Sequence, residues 1–406
     1  MNKKVELLAP AGSLLKLKVA IDYGADAVYC AGKRFGLRTA SENFSYEDFE
    51  EGLEYAHTRG VKVYVTLNVY PRNDDFEELR SYIAELDKLG VDAVIVSDLG
   101  MLTLVREVAP DMEIHISTQA NNVNWLTAKK WTELGAKRVV LARELSCREI
   151  AEIGEKSGAE LEAFVHGAMC VSYSGRCLLS NYMTGRDSNK GDCAQPCRWK
   201  YSVVEEKRPG EYFPVTEDEN GTFIFNSKDL CLIKRIPELV DAGVYSFKIE
   251  GRVKSEFYVA TIVSAYRKEI DRYLSNPENY VFDEKAYEEV CKVSHRAYFE
   301  GFFGGRPSDG QVTSTNSYER DYEFIAYTEG YDEENKLIIA SQRNKFYAGD
   351  EIDILVPVGD NIVIENVKIF DENMNEIADA PHSEQKLYIP CDVPVPMHSM
   401  IRKKIK

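Results

Sequence analysis

Residues 61–98 of the chain read VKVYVTLNVYPRNDDFEELRSYIAELDKLGVDAVIVSD, and this stretch decides the fold. Two short runs rich in β-branched residues, 61–68 and 91–98, flank a segment whose apolar residues recur at helical spacing. The helical segment ends at Gly90, and glycine is the residue that most often ends a helix. The stretch therefore predicts a strand–helix–strand unit in which both strands lie parallel in one sheet.

The same alternation covers the first two thirds of the chain. The runs are VELLAP (5–10), DAVYC (26–30), VKVYVTLN (61–68), VDAVIVSD (91–98), EIHIST (113–118), KRVVLA (137–142), LEAFVHG (161–167) and YSFKIEG (245–251). The glycines expected to end helices are Gly24, Gly60, Gly90, Gly135 and Gly243. Eight such strands predict an α/β fold, a (β/α)8 barrel of the TIM type. An open doubly wound sheet is the alternative, but LAPAGS after the first run has too few glycines for a dinucleotide-binding fingerprint.

Two regions depart from this pattern. A cysteine-rich insertion of about residues 168–231 separates the seventh run from the eighth, and it contains TFIFNSKD (222–229) and the hairpin turn EDENGT. After about residue 305, short runs alternate apolar and polar residues between turns. We predict a barrel domain over 1–305 and a small antiparallel β-barrel or sandwich domain over 306–406.

The chain carries a net charge of −17, which disfavours nonspecific binding to nucleic acid. Local basic patches are still able to bind one RNA, although each by itself is more typical of solvated surface charge. The patches are KRFGLR (Lys33, Arg34, Arg38), Arg198 to Lys200, GRVK (Arg252, Lys254) and the tail IRKKIK. No run is apolar enough to span a membrane, and the N-terminus lacks a signal-type stretch, so we expect a cytoplasmic protein.

Five of the nine cysteines fall within the insertion region, and they are Cys170, Cys177, Cys193, Cys197 and Cys231. The other four, Cys30, Cys147, Cys291 and Cys391, are scattered and are expected to be small buried side chains. The clustering admits structural zinc, an iron–sulfur cluster, or a catalytic thiol at Cys170 beside His166. Cys231 is predicted to begin a helix, where the N-terminal dipole favours a thiolate.

In a TIM-type barrel the chemistry lies where the strands end. The polar residues at the predicted strand ends are Asn68, Ser97, Asp98, Ser117, Gln119, Arg143, Glu144, His166, Lys248, Glu250 and Arg252. In KIEGR, the residues Lys248, Glu250 and Arg252 alternate and are predicted to face one way from a single strand. They indicate either a site for a carboxylate-bearing ligand, with Glu250 orienting the two cations, or a salt-bridge ladder.

The stretch EAFVHGAMCVSYSGRCLLS (162–180) resembles the signature of peptidase family U32, the collagenase-like proteases of undefined catalytic type. The segments LLAPAGS, STQ, NSKDLC and FKIEGR also fit, so the resemblance covers about residues 1–305. Better-understood members of the family are oxygen-independent hydroxylation proteins that act on tRNA uridine, on ribosomal RNA or on the ubiquinone ring. The stretches CAQPCRWKY, EEKRPGEYFPV and EDENGTFIFNSKDLC are most similar to the tRNA-acting members.

The resemblance implies hydroxyuridine formation at the wobble position of the anticodon, with prephenate as a required metabolite. It implies a 4Fe–4S cluster on Cys170, Cys177, Cys193 and Cys231, with Cys197 as an alternative fourth ligand. Prephenate is a dicarboxylate, so its expected binding residues are Lys248, Arg252, Gln119 and Arg143. The expected catalytic residues are His166, Glu162 and Glu250. His166 would relay a proton or bond a cluster sulfur, or it is a satisfied strand-end histidine.

The expected partners are tRNA, bound through the local basic patches, and an electron-donor protein. Two other functions stay open. A collagenase-like peptidase would explain the family name, although no HExxH motif occurs. A non-catalytic scaffold, with zinc holding the insertion, would also use the cysteines.

Overall fold

The structure is a computed structural model, and it describes residues 4–36, 42–169, 177, 179–186, 188, 192–196, 216–218, 221–223, 228–305 and 318–405. Several residues singled out above lie outside this set: Cys170, Cys197, Arg38 and Arg198 to Lys200.

The predicted (β/α)8 barrel is confirmed. Its strands are β1 (Glu6–Pro10), β2 (Ala27–Cys30), β3 (Lys62–Leu67), β4 (Ala93–Val96), β5 (Glu113–Ile116), β6 (Arg138–Val140), β7 (Glu160–Ala168) and, after three further strands in the chain, β11 (Val244–Ile249). Each pairs in parallel with the next, and β11 pairs with both β7 and β1, so the ring closes. The strand ends therefore meet at one mouth.

Ten helices lie in the described part of the chain, and most of them follow a strand of the ring. They are α1 (Leu14–Asp22), α2 (Tyr46–His57), α3 (Phe76–Leu89), α4 (Leu99–Val108), α5 (Trp125–Glu133), α6 (Cys147–Ser157), α7 (Leu179–Thr184), α8 (Ile236–Asp241), α9 (Glu256–Ser275) and α10 (Glu284–Val290). Short 3-10 turns span Asn73–Asp75, Thr118–Ala120, Ile233–Arg235 and Pro277–Asn279. Local sequence places the helix ends: Ser45 and Asp48 form a capping box at α2, and Gly90 ends α3 with a left-handed φ of 83°. The other predicted glycines also have positive φ: Gly24, Gly60, Gly135 and Gly243.

The insertion forms the predicted hairpin and one strand that was not predicted. The hairpin consists of β8 (Thr216–Asp218) and β9 (Gly221–Phe223). The added strand, β10 (Asp229–Cys231), pairs antiparallel with β7 and parallel with β12 (Tyr298–Phe299), so it extends the sheet beyond the ring. The prediction that Cys231 begins a helix is wrong. Backbone hydrogen bonds to β7 hold this segment extended, such as Leu232 N to Val165 O at 2.9 Å.

The C-terminal region consists of antiparallel strands, as predicted: among the described residues, eight strands form one sheet, and the two short strands at 346–347 and 379–380 pair separately. Its strands are β13 (Tyr322–Asp332), β14 (Leu337–Gln342), β15 (Phe346–Tyr347), β16 (Ile352–Leu355), β17 (Ile362–Ile364), β18 (Ile369–Phe370), β19 (Glu376–Ile377), β20 (Asp379–Ala380), β21 (Lys386–Pro390) and β22 (Met400–Lys404). Its buried core is aliphatic, with Ile338, Ile354 and Ile401 fully buried.

The tail IRKKIK is not the free basic patch considered above. It forms β22, which pairs with β13 on one side and β16 on the other. Arg402 within it is fully buried, with Nη1 2.5 Å from Glu289 Oε1 of α10 and Nη2 2.7 Å from Asp353 Oδ2 of β16. The cation therefore joins the C-terminal sheet to the barrel domain.

A second group of contacts joins the two domains near the end of α1. The Tyr23 hydroxyl donates to the Leu355 carbonyl at 2.7 Å, and His398 Nδ1 lies 2.6 Å from Asp22 Oδ2. Among the described helices, none is long and apolar enough to cross a membrane.

Candidate functional site

The barrel interior holds a buried network of charged side chains beneath the mouth. Arg138 of β6 donates from Nη1 to Glu6 of β1 at 2.6 Å and to Glu162 of β7 at 3.2 Å. Because β7 and β11 separate β6 from β1 in the ring, the bond to Glu6 crosses the interior. Lys248 of β11 donates from Nζ to Glu162 at 2.6 Å. All four side chains are buried, so the network balances charge where water is excluded.

Glu162, which the resemblance assigns to catalysis, is fully buried in this network. Burial raises its pKa, but Lys248 and then Arg138 outweigh that effect, so the pKa of Glu162 is lowered. The carboxylate is thus ionised at neutral pH and bonded on both oxygens. Glu162 is therefore a buried, paired residue that holds Lys248 in place. A direct catalytic role for Glu162 stays a prediction.

At the mouth, Arg143 and Glu250 come together. Arg143 Nη2 lies 3.5 Å from Glu250 Oε2, and Nη1 donates to the Ala168 carbonyl at 2.6 Å. The guanidinium also lies over the Phe164 ring, 3.9 Å from its centroid. Its Nε–H is buried and has no hydrogen-bond partner among the described residues. The guanidinium is therefore held by Ala168, Glu250 and Phe164, and its Nε–H is available to a ligand oxygen.

The prediction that Lys248, Glu250 and Arg252 share one strand is wrong, although all three lie near the mouth. Strand β11 ends at Ile249, and the chain turns at Gly251, where an added Cβ would lie 2.6 Å from the Tyr258 ring. Lys248 pairs with Glu162 inside the barrel. Arg252 is also buried, and its Nη1 donates to Thr66 Oγ1 at 3.2 Å.

Two residues that follow β5 and β6 also have buried polar atoms without a partner in the described part of the chain. Asn121 Oδ1 and Glu144 Oε2 are buried and unpaired among the described residues, and burial raises the pKa of Glu144. Gln119, predicted to bind the ligand, lies in the turn that ends in Asn121, and its carbonyl accepts from Tyr70 at 2.7 Å. Sequence reasoning missed Asn121. Its left-handed φ of 58° is a conformation that asparagine favours, but no sequence signal shows its unpaired oxygen.

His166 lies in a box of aromatic side chains beside the mouth. Its Nε2 is 3.2 Å from the Tyr298 hydroxyl and its Nδ1 is 3.4 Å from the Tyr266 hydroxyl. Burial, with smaller contributions from His295 and Lys254, lowers the pKa of His166 to about 3. The imidazole is therefore neutral and weakly basic, which does not suit activation of a thiol by proton removal.

The described cysteines of the insertion occupy two environments. Cys177 and Cys193 are free, half-buried thiols in one folded segment, where Ser188 donates to the Cys177 carbonyl at 2.9 Å and the Ala194 amide donates to Ser180 at 3.0 Å. Cys231 is opposite His166 in the β10–β7 ladder, and its thiol is buried beside Tyr266. Burial raises the pKa of Cys231 to about 12.

The chemistry of these cysteine environments is compatible with metal ligation. Two accessible thiols in one segment suit a shared metal or cluster, and a buried thiol such as Cys231 ionises only beside a strong positive charge. Within the described part of the chain, no three histidine, cysteine or acidic side chains are close enough together to hold a metal ion. Cys170 and Cys197, the remaining candidate ligands, lie outside it.

Comparison with known proteins identifies the family. The model of peptidase family U32 matches residues 12–313, and that of the peptidase family U32 C-terminal domain matches residues 320–402. The chain is 42% identical over 404 residues to "tRNA hydroxylation protein P1" of Bacillus subtilis (strain 168), covering 99% of this chain and 96% of the relative.

Two proteins of Escherichia coli (strain K12) are also similar. Identity is 39% over 415 residues to "tRNA hydroxylation protein P", covering 90% of this chain and 89% of the relative. Identity is again 39% over 276 residues to "23S rRNA 5-hydroxycytidine C2501 synthase", covering 66% of this chain and 40% of the relative. With both family models matched and a relative similar along almost its whole length, the chain belongs to peptidase family U32.

Proposed function

We propose that this protein is a tRNA-modifying enzyme that forms hydroxyuridine at the wobble position of the anticodon without molecular oxygen. The observation that carries the proposal is similarity over nearly the whole chain to a tRNA hydroxylation protein. A third relative modifies ribosomal RNA by its name, so hydroxylation of RNA bases recurs on this barrel. The mouth supports this function because its buried, unpaired groups at Asn121, Arg143 and Glu144 can bind the polar edge of a base or a small acid.

A 4Fe–4S cluster is the proposed cofactor, held by Cys170, Cys177, Cys193 and either Cys231 or Cys197. When bound, such a cluster supplies redox chemistry, and an electron-donor protein is the proposed partner. The protein's own residues would hold it close to the mouth, since β7 runs from Glu162 in the interior to the beginning of the cysteine segment. The Tyr266 and Tyr298 hydroxyls fix the imidazole of His166 beside Cys231.

Prephenate is the proposed metabolite. Among its predicted binding residues, Lys248 differs from the two arginines, Arg143 and Arg252, in its surroundings. Lys248 is already neutralised by Glu162, so it contributes less to binding a dicarboxylate than its charge suggests. Arg143 pairs with Glu250 at 3.5 Å but keeps an Nε–H with no partner among the described residues, and Arg252, buried beside Thr66, supplies a second cation. Two guanidinium groups on one rim suit the two carboxylates of prephenate.

The test is to purify the full chain anaerobically and measure iron, sulfide, zinc and visible absorption. Hydroxyuridine is then assayed by mass spectrometry in wobble-uridine tRNA, with and without prephenate. We expect about four irons and about four sulfides per chain, and hydroxyuridine only when prephenate is present. Stoichiometric zinc without sulfide would contradict the cluster and favour the scaffold, and gelatin hydrolysis without tRNA modification would favour the peptidase.

Matched variants separate the parts of the proposal. Cys177→Ala and Cys193→Ala should remove iron and activity together, whereas Cys391→Ala in the C-terminal sheet should change neither. Cys231→Ala and Cys197→Ala, measured separately, identify the fourth ligand. Arg143→Gln with Arg252→Gln should abolish the response to prephenate while iron and sulfide stay at the wild-type amount. An unchanged response would overturn the assignment of these two residues.

A further inference from the structure

The hydroxyl of Tyr266 lies where two strands of the barrel sheet meet. Tyr266 belongs to helix α9 and is fully buried. Its hydroxyl donates to the Val165 carbonyl of β7 at 2.8 Å, and it accepts from the amide of Leu232, the residue directly after β10, at 3.2 Å. His166 Nδ1 lies 3.4 Å from the same oxygen. One helical side chain therefore bonds to the backbone of β7 and to the residue that follows β10.

These two strands lead to cysteines that are proposed as cluster ligands. Strand β10 ends at Cys231, which lies opposite His166 in the ladder with β7. Strand β7 ends at Ala168, two residues before Cys170 in the sequence. The Tyr266 hydroxyl thus joins the residue after one proposed ligand to the strand that leads to another.

Strand β10 is short, so its position depends on few backbone bonds. It is three residues long, and β12, its neighbour on the side away from β7, is two residues long. Segments with few backbone hydrogen bonds open locally more easily than the centre of a sheet. A bond from a buried side chain to the end of β10 therefore has a larger effect on the placement of Cys231 than it would have inside a long strand.

Backbone pairing and packing do not account for a hydroxyl at this position. The Leu232 amide also donates to the Val165 carbonyl at 2.9 Å, so both groups would stay paired without the tyrosine oxygen. A phenylalanine ring would fill nearly the same volume. Burying a hydroxyl costs free energy that its hydrogen bonds must offset. The hydroxyl is thus explained best by what it holds in place, and the thiol of Cys231 is buried beside it.

We propose that Tyr266 is a positioning residue for the iron–sulfur cluster, and that its hydroxyl holds Cys231 in place against β7. The inference rests on the proposed function, since it takes the cluster as the cofactor and Cys231 as one of its ligands. Hydrogen bonds that orient the ligands of a metal contribute to its affinity. Tyr266 bonds the backbone on both sides of the ladder at Cys231, and it acts on the cluster through that cysteine.

The test compares wild type with Tyr266→Phe, both as full chains purified anaerobically. The variant keeps the ring, so tryptophan fluorescence in urea should show an intact fold, and iron and sulfide should be about four each per chain. Removal of iron by a chelator, followed by visible absorption, should be roughly five- to tenfold faster, as expected for the loss of one hydrogen bond. Tyr273→Phe, which changes a buried tyrosine about two turns further along α9, is the matched control and should behave as wild type.

Two further measurements separate the placement of Cys231 from a general loosening of the fold. An iron that loses its cysteine is removed by mild oxidation, which leaves a three-iron cluster, so the EPR signal of that species should be stronger in Tyr266→Phe than in wild type. Hydrogen exchange with mass spectrometry should be faster in peptides that cover residues 229–233 and unchanged in peptides from β2.

Two outcomes would overturn the role of Tyr266 and leave the proposed cluster in place. One is iron loss at the same rate in wild type and Tyr266→Phe. The other is faster exchange in β2 as well as in 229–233, because the hydroxyl would then support the whole barrel and not the position of Cys231. Wild type that holds neither iron nor sulfide would overturn the proposed cofactor, and the role of Tyr266 with it.

Discussion

The two domains of this protein each bury the inner face of a sheet, but with different side chains. In the barrel, Glu6, Arg138, Glu162 and Lys248 bond to one another across the interior. In the C-terminal domain the core is aliphatic, formed by residues such as Ile338, Ile354 and Ile401. An aliphatic core stabilises by removing apolar surface from water, whereas a buried ion network is stable only while every charge keeps its partner.

This difference indicates what each interior is for. Replacing a buried ion network with apolar residues often costs nothing in stability, so such a network is retained for another reason. Here the network ends at Lys248, directly under the rim that carries Arg143 and Arg252. In the C-terminal domain the fully buried cation is Arg402, and it pairs with Glu289 and Asp353 at the junction with the barrel. We infer that the barrel interior has charged side chains in place of apolar ones because they position charge under the mouth. The aliphatic core of the C-terminal domain mainly stabilises the fold.

The largest effect should come from breaking the ion network. Arg138→Met leaves Glu6 buried without a cation and Glu162 with Lys248 alone, and we expect a loss of about 3–5 kcal/mol in the free energy of unfolding. Tryptophan fluorescence during urea unfolding measures it, since all three tryptophans, Trp125, Trp131 and Trp199, precede the C-terminal domain. Arg80→Met, which breaks the exposed pair with Glu107, is the control and should cost less than about 1 kcal/mol. Equal losses in the two variants would refute the proposed importance of the network.

The next effect tests the aliphatic core. Ile354 is fully buried, so Ile354→Ala should cost about 2–4 kcal/mol and Ile354→Val about 0.5–1.5 kcal/mol. Hydrogen exchange with mass spectrometry should show the loss in peptides from β16 and β22. The tryptophan transition of the barrel should stay in place. If it shifts equally, the two domains unfold as one unit and the contrast between them is structural only.

Acid should destabilise the barrel before the sheet domain. Burial lowers the pKa of His115, although Glu113, 3.8 Å from its Nε2, acts in the opposite direction. An unfolded chain takes up a proton near pH 6.5 that folded His115 does not, so stability is lost as pH falls below that value. Each such proton contributes about 1.4 kcal/mol per pH unit.

His115→Phe keeps the ring and removes the titration. Between pH 6 and 5, the tryptophan-monitored stability of this variant should depend less steeply on pH than that of the wild type. The exposed His382→Gln on the C-terminal domain is the control and should leave the dependence unchanged. An identical slope in wild type and His115→Phe would show that His115 titrates normally in the folded protein.

The smallest effect concerns the junction of the domains. Asp22 accepts from Tyr55 and pairs with His398, and both Asp22 and His398 are mostly buried. Asp22→Asn keeps the size of the side chain and loses the charge, so we expect a cost of about 1 kcal/mol. Faster hydrogen exchange around residue 398, with no change in β16, would locate that cost at the junction. No change at either place would show that the Asp22–His398 pair does not stabilise the junction.

Much of the architecture follows from the sequence because it depends on local rules. Alternating runs such as 61–68 and 91–98 predicted the parallel strands, and Gly90 marked a helix end because the left-handed cap favours glycine. The crowding of five cysteines between residues 170 and 231 also marked the insertion as a candidate metal site without any structure. These signals are confined to neighbouring residues, where periodicity and side-chain chemistry suffice.

Only the tertiary structure decided which groups meet. The sequence KIEGR predicted one charged strand. In the structure β11 ends at Ile249, and Lys248 forms an ion pair with a residue of β7. The sequence of the tail is typical of a free basic patch, but pairing of the tail in the sheet places Arg402 at the domain junction. Cys231 reads as a helix start, yet pairing with β7 extends it. The hydroxyl of Tyr266, which bonds β7 and the residue after β10, has no signature in the sequence of α9. Each depends on residues distant in the chain, and local periodicity carries no information about which distant strand or loop will be adjacent.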